Sequence, residues 1–237
     1  MKVIITGGAR GIGKACVEYF ASRGHEVAFI YQKSTEAAEK LEKEFGVLPF
    51  CADISNPESA KTAVCELVNK LGGVDVLINN AGISQIKMMS DITEADWANM
   101  INTNLSSAFY VTKAVMPYMI AKKCGRIINI GSMWGKSGAS CEVHYSASKA
   151  GLRGFTYALA KELGPSGITV NIVEPGVIKT DMTSELDEQT VASLCEETPL
   201  CRIGTPLDVA PLVYFLASDE AGFITGQAIG VDGGFAI

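Results

Sequence analysis

The sequence predicts one α/β domain over residues 1–237, with helices on both faces of a doubly wound parallel sheet. Three observations carry that prediction. Short Val- and Ile-rich runs alternate with longer helix-like segments along most of the chain. The runs lack strict apolar–polar alternation, as expected of strands buried on both faces. Strand, helix, strand repeated in one chain implies parallel strands joined by right-handed crossovers. With 237 residues, 48% apolar and 19% charged, the chain can fill one large core. No linker, low-complexity tract or internal repeat interrupts it.

The first run, Lys2 to Ile5, leads into the glycine-rich Thr6-Gly7-Gly8-Ala9-Arg10-Gly11-Ile12-Gly13 and a helix. Val27 to Tyr31 and Val47 to Cys51 are the second and third strands. Ser55-Asn56-Pro57-Glu58 then supplies a cap, a proline tolerated in the first helical turn, and an acid near the positive helix end. Val74 to Ile78 is the fourth strand, and Thr93-Glu94-Ala95-Asp96 has the form of a capping box. Gly125 to Ile130 and Ile168 to Val173 follow as strands. Thr205-Pro206-Leu207-Asp208 opens the last helix, and Ala228 to Val231 is a final strand before Asp232-Gly233-Gly234.

Composition removes several classes of function. The net charge is −6, and the longest basic run is Lys122-Lys123, so no nucleic-acid partner is expected. No apolar run is long enough to span a membrane, and Met1 to Ile5 is too short for a signal peptide. The seven cysteines are scattered without a C-x-x-C pair, which predicts reduced, mostly buried thiols in a cytoplasmic protein. His25 and His144 are not spaced as ligands, so no metal is expected; His144 reads as a packed residue facing away from Tyr145.

Glycines between a first strand and a first helix let the backbone approach a pyrophosphate, which the helix N-terminus stabilises. The usual G-x-G-x-x-G fails, because Cys16 stands where the third glycine belongs; the pattern is G-x-x-x-G-x-G from Gly7. After the second strand come Tyr31-Gln32-Lys33-Ser34, with no acid before Glu36. A carboxylate there would bind the ribose hydroxyls of NAD(H); Lys33 and Arg10 offer positive charge to a 2′-phosphate instead. The expected cofactor is therefore NADP(H) rather than NAD(H), unless both cations are merely solvated.

Tyr145-Ser146-Ala147-Ser148-Lys149 places a phenol and an ammonium four residues apart, on one helix face. A nearby ammonium would stabilise a phenolate and bring the Tyr145 pKa down. Alone, Y-x-x-x-K is common on ordinary helices. Here Ser132 follows the end of the fifth strand, where parallel sheets bind ligands. Asn104 and Asn79-Asn80-Ala81-Gly82 complete the set.

In this order and spacing, the Thr6-to-Gly13 loop, Asp53-Ile54, Asn79 to Gly82, Asn104, Ser132, Tyr145-x-x-x-Lys149 and Pro175-Gly176 resemble the short-chain dehydrogenase/reductase family over nearly the whole chain. The resemblance implies a single Rossmann-fold domain with a seven-stranded parallel sheet, and assembly as a homotetramer or homodimer. It also implies roles. Tyr145 would be the general acid/base, Lys149 would tune it and hold the nicotinamide ribose, Ser132 would bind the substrate carbonyl, and Asn104 would anchor a relay water. Gly7, Arg10, Gly11, Ile12 and Gly13 would hold the phosphates, and Tyr31, Gln32 and Lys33 the adenosine ribose. Asp53 and Ile54, with Asn80, Ala81 and Gly82, would line the adenosine side. Pro175, Gly176, Ile178 and Thr180 would hold the nicotinamide end.

Within the family, Ile224-Thr225-Gly226-Gln227 with Val231 to Gly234, and Thr198-Pro199-Leu200 with Arg202 to Pro206, resemble 3-oxoacyl-[acyl-carrier-protein] reductases of fatty acid synthesis. The expected substrate is thus a small or carrier-protein-bound carbonyl compound. Met133-Trp134-Gly135 and Gly138 to His144 resemble instead a branch reducing a 5-aminopentanone on elongation factor P. Trp134 and Glu142 could suit a compact or amine-bearing substrate, although Trp134 could equally be a packing residue. A dinucleotide-sensing protein without catalysis is the remaining alternative. Finally, the acid-rich stretch within 180–204 carries few apolar anchors and is expected to act as a lid.

Overall fold

The computed structural model describes residues 1–183 and 187–236. In chain order the elements are β1 (Lys2–Thr6), α1 (Gly11–Ala21), β2 (Glu26–Tyr31), α2 (Thr35–Phe45), β3 (Leu48–Cys51), α3 (Pro57–Leu71) and β4 (Val76–Asn79). Then come α4 (Glu94–Ile101), α5 (Ser107–Lys122), β5 (Gly125–Ile130), α6 (Trp134–Ser137), α7 (Val143–Leu163), β6 (Ile168–Pro175), α8 (Glu188–Glu197), α9 (Pro206–Ala217) and β7 (Ala228–Val231). The strands form one seven-stranded sheet in the order β3-β2-β1-β4-β5-β6-β7, and every pairing is parallel.

Successive strand residues feed opposite layers, which explains the missing alternation in sequence. Val3 and Ile5 of β1 point into a core shared with Phe20 of α1, Leu41 of α2 and Val213 of α9. Ile4 between them joins the other core, with Leu67 of α3, Val115 of α5 and Leu163 of α7. Both strand faces are buried, so both must be apolar.

Helix starts follow the expected chemistry. Asn56 accepts from the amides of Glu58 and Ser59, both at 3.0 Å. Thr93 with Asp96, and Thr205 with Asp208, close reciprocal capping boxes. Several strand ends shift by one residue, and two shift by two. β4 starts two residues late because Asp75 is spent on Lys2, accepting its amide at 2.7 Å. β6 runs on to Pro175 because Glu174 and Pro175 still pair with Gly230 and Val231 of β7.

The cysteine expectation is corrected. Only Cys16 is buried, which pushes its thiol up to about 12. Cys51, Cys124 and Cys201 are exposed and the other three are half-buried. The exposed three sit at a strand end or in turns, where no layer covers them. Among the described residues no helix is long and apolar enough to cross a membrane.

The topology fixes where a ligand can lie. The chain adds β2 and β3 on one side of β1, then returns to place β4 on the other. The two crossovers leave β1 and β4 in opposite directions, opening a crevice at their C-terminal ends.

Candidate active site

The glycine loop after β1 enters that crevice. Thr6 ties it to the segment after β4: its hydroxyl accepts from the amides of Asn80 and Ala81, at 2.9 and 3.0 Å. The Asn80 side-chain amide donates back to the carbonyls of Thr6 and Gly7, at 3.0 and 3.1 Å. Asn80 therefore shapes the loop. Gly7 adopts φ +66°, and a Cβ at Gly13 would collide with the Gly7 carbonyl. This cradle fits a dinucleotide pyrophosphate. α1 begins without a side-chain cap and without an acid in its first turn, so its free amides and positive end remain for an anion.

The turn after β6 reaches the same loop from the other side. Thr180 lies 3.4 Å from where a Cβ on Gly11 would stand, and Arg10 meets Asp181 at 4.0 Å. Pro175 and Gly176 lead into this turn; the amide of Gly176 donates to the Val231 carbonyl at 3.0 Å. Ile178 is core, with its side chain buried, and Ile12 packs on the same cluster. Ile178 therefore offers its backbone to a ligand, while Ile12 stays half-buried beside the loop.

On the adenosine side, Gln32 and Lys33 are exposed and Tyr31 is half-buried. Ser34 leaves α2 without a side-chain cap. Asp53 is exposed but accepts from the amide and hydroxyl of Ser55 at 3.0 and 2.7 Å, while Ile54 is buried.

The catalytic candidates converge at the ends of β4 and β5. Asn104 sits in a π turn, Asn102–Ser106, that joins α4 to α5. Such bulges are frequent at functional sites. Its side chain accepts from the Ile83 amide at 2.8 Å and donates to the Ile83 carbonyl at 2.9 Å and Ser148 at 3.1 Å. Gly82 lies between Asn104 and Lys149: a Cβ there would stand 3.3 Å from Asn104 Oδ1 and 3.5 Å from Lys149 Nζ. Ser132 is buried, accepts the Trp134 amide at 3.2 Å, and its hydroxyl acts on the Tyr145 phenol in the direction that favours ionisation.

Lys149 and Tyr145 share a face of α7, with Nζ 5.7 Å from the phenol ring centre. Their electrostatics differ from the sequence expectation. Burial pushes the Tyr145 phenol up to about 12, and the Glu142 charge adds to that against the opposing Ser132 hydrogen bond. The Lys149 ammonium donates to the Ile130 carbonyl at 2.9 Å, and burial lowers it to about 8. A phenol held in its protonated form is a proton donor, and an alkoxide is basic enough to take that proton.

A family model described as enoyl-(acyl carrier protein) reductase matches residues 7–236. The 3-oxoacyl-[acyl-carrier-protein] reductase FabG of Vibrio cholerae serotype O1 is 42% identical over 98% of this chain and 95% of its own. FabG of Thermotoga maritima is also 42% identical, over 99% and 97%, and that of Escherichia coli K12 40%, over 98% and 95%. A Sinorhizobium meliloti 1021 structure described as a short-chain alcohol dehydrogenase superposes with TM-score 0.93 at 34% identity, covering 99% of this chain and 95% of that one. The chain belongs to the short-chain dehydrogenase/reductase family. It is an NAD(P)-dependent oxidoreductase acting on carbonyl and hydroxyl groups.

Two features of this dehydrogenase/reductase were not anticipated from sequence, and one alternative left open there is now favoured. Thr6 and Asn80 are a loop clasp. Asn79, Thr112, Asn129 and Thr156 form a buried chain, with Asn79 donating to Thr112 and Asn129, and Asn129 to Thr156, at 2.8–3.0 Å. Its only sequence signal is the polar residues inside apolar strands. Trp134 packs edge-on against Phe235 at 5.6 Å between ring centres, which favours the packing role for it.

Proposed function

We propose that the chain is an NADPH-dependent 3-oxoacyl-[acyl-carrier-protein] reductase of fatty acid synthesis. The carrying observation is that buried Ser132 and Lys149 come together with Tyr145 at the C-terminal edge of the sheet, with Lys149 Nζ 5.7 Å from the Tyr145 ring centre and Ser132 acting on the same phenol. The printed function of relatives at about 40% identity supports the substrate class. A nicotinamide held in the crevice would supply the hydride. Ser132 donates a hydrogen bond to the substrate carbonyl oxygen, where charge develops. Tyr145 delivers its proton to that oxygen, and Lys149, protonated at neutral pH, offsets the charge left on the phenol. Asn104, whose Oδ1 faces Gly82 near Lys149, is assigned to holding the proton relay in place.

Preference for the 2′-phosphate rests on Arg10, Lys33 and the uncapped start of α2. Exposed Phe109, Tyr118 and Ile120 of α5, with Tyr157 of α7, supply apolar surface for a homotetramer or homodimer. The seven free thiols suit the cytoplasm.

Glu142 favours a second reading, reduction of an amine-bearing ketone such as the 5-aminopentanone of elongation factor P. Among the described residues no side chain donates to its carboxylate, which is partly buried, has its pKa raised by that burial, and acts on Tyr145. Parallel assays with a 3-oxoacyl carrier-protein thioester and the ketone-bearing elongation factor decide between them. NADPH oxidation confined to the thioester is expected; oxidation confined to the modified factor selects the second reading, and none with either points to a sensing protein.

A further inference from the structure

The first turn of the catalytic helix lacks the usual anchor. Glu142 precedes α7 without a side-chain cap, although Tyr145 lies within that turn. What holds the turn comes from outside the helix. His144 is fully buried, and its Nε2 lies 3.0 Å from Oε1 of Gln85, in the irregular segment after β4. Gln85 Nε2 donates to Asp96 Oδ1 at 3.3 Å, and Lys87 donates to Asp96 Oδ2 at 2.6 Å. The Lys87 amide donates to the Cys141 carbonyl at 2.7 Å, immediately before the helix.

The chain of donors has one sense. Asp96 accepts from Lys87, Thr93 and Gln85, which holds its carboxyl far below the usual range and ionised. An ionised carboxylate only accepts, so the Gln85 amide nitrogen must face it and the Gln85 oxygen must face His144. His144 Nε2 then carries the hydrogen. Among the described residues, Nδ1 is the ring nitrogen left buried without a partner. The far end of the same segment is held by Asn104, which both accepts from and donates to Ile83. Ile83 to Lys87 is thus strapped to Asn104 at one end and to the Tyr145 turn at the other.

We infer that Gln85 and His144 are positioning residues that fix the Tyr145 phenol for proton delivery by bracing the uncapped start of α7 against the segment after β4. The inference rests on the assignment of Tyr145 as the proton donor. A phenol displaced by a fraction of an ångström from its carbonyl loses rate without losing cofactor affinity, because the cradle lies elsewhere.

The test uses the full-length enzyme, NADPH and any ketone it reduces. Gln85→Met and His144→Phe should each lower kcat roughly ten- to a hundredfold, leaving the NADPH dissociation constant within about twofold. The solvent deuterium isotope effect on kcat should rise in both, since proton delivery becomes slower. As the two residues act through one bond, the double variant should be no slower than the slower single. His144→Gln, which keeps an N–H toward Gln85, should recover most of the rate. His144→Asn, too short to reach, replaces the Phe variant if that one does not fold. Wild-type kcat and isotope effect in the single variants, or losses that multiply in the double, would overturn the inference. Tyr145→Phe run alongside separates the two failures: if it stays active the donor assignment is wrong, and if it is inactive while the pair variants are normal, only the positioning role is.

Discussion

At the scale of single residues, burial sets the protonation of the site. Lys149 titrates near about 10.5 in an unfolded chain and at about 8 in the fold. Below pH 8 both states hold the proton, and the cost of burying the charge is fully present. Between about 8 and 10.5 the unfolded chain binds the extra proton, so the Lys149 contribution to stability rises with pH, by up to about 3 kcal/mol. Tyr145 works the other way above pH 10, where the unfolded phenol ionises first and stability falls. Denaturant unfolding of wild type and Lys149→Met should therefore differ increasingly in favour of wild type from pH 8 to pH 10; a flat difference would mean the ammonium is not desolvated. Arg10 carries a second prediction. Its replacement by Ala should weaken NADPH much more than NADH, measured by fluorescence titration, and equal losses would remove it from 2′-phosphate recognition. Tyr145, Lys149 and Ser132 were legible as residues because spacing on a helix and position after a strand are local properties. Gln85 and His144 were not, since their partnership spans 59 positions and exists only once the sheet is built.

Among elements, starts were more legible than ends or irregularities. Asn56, Thr93 and Thr205 announce their helices, because a cap is a short-range hydrogen bond. The π turn at Asn102–Ser106 leaves no such mark; it shifts backbone hydrogen bonds by one residue without a change in composition. The expected lid falls partly outside the described residues, at 184–186. Within them, α8 is capped by Asp187, which accepts the Thr190 amide at 2.7 Å, yet no residue of α8 is buried. A helix with so little in the core opens at low cost. Amide exchange across Glu188–Glu197 should slow when NADPH and a substrate analogue are added together. Strong protection already present without them would make α8 a static wall.

For the whole molecule, the order of strands does most to create the site. Reversal of winding at β1 and β4 brings the glycine loop, Asn80 and Gly82 to one crevice, and β5 and α7 add Ser132, Tyr145 and Lys149 beside it. The sheet and its layers were readable because each strand is short, apolar and set between amphipathic segments. Which carbonyl compound enters was not, because the deciding groups lie in loops whose packing depends on the finished fold; Trp134, turned against Phe235, is one of them. The central claim is that this crevice reduces a carbonyl with Tyr145 as the proton donor. Its most direct test is single-turnover oxidation of NADPH by a 3-oxoacyl carrier-protein thioester, comparing wild type with Tyr145→Phe. The wild type should form one hydroxyacyl product per NADPH consumed, while the variant binds NADPH with little change and turns over at background rate. A variant that keeps near-normal kcat would contradict the account.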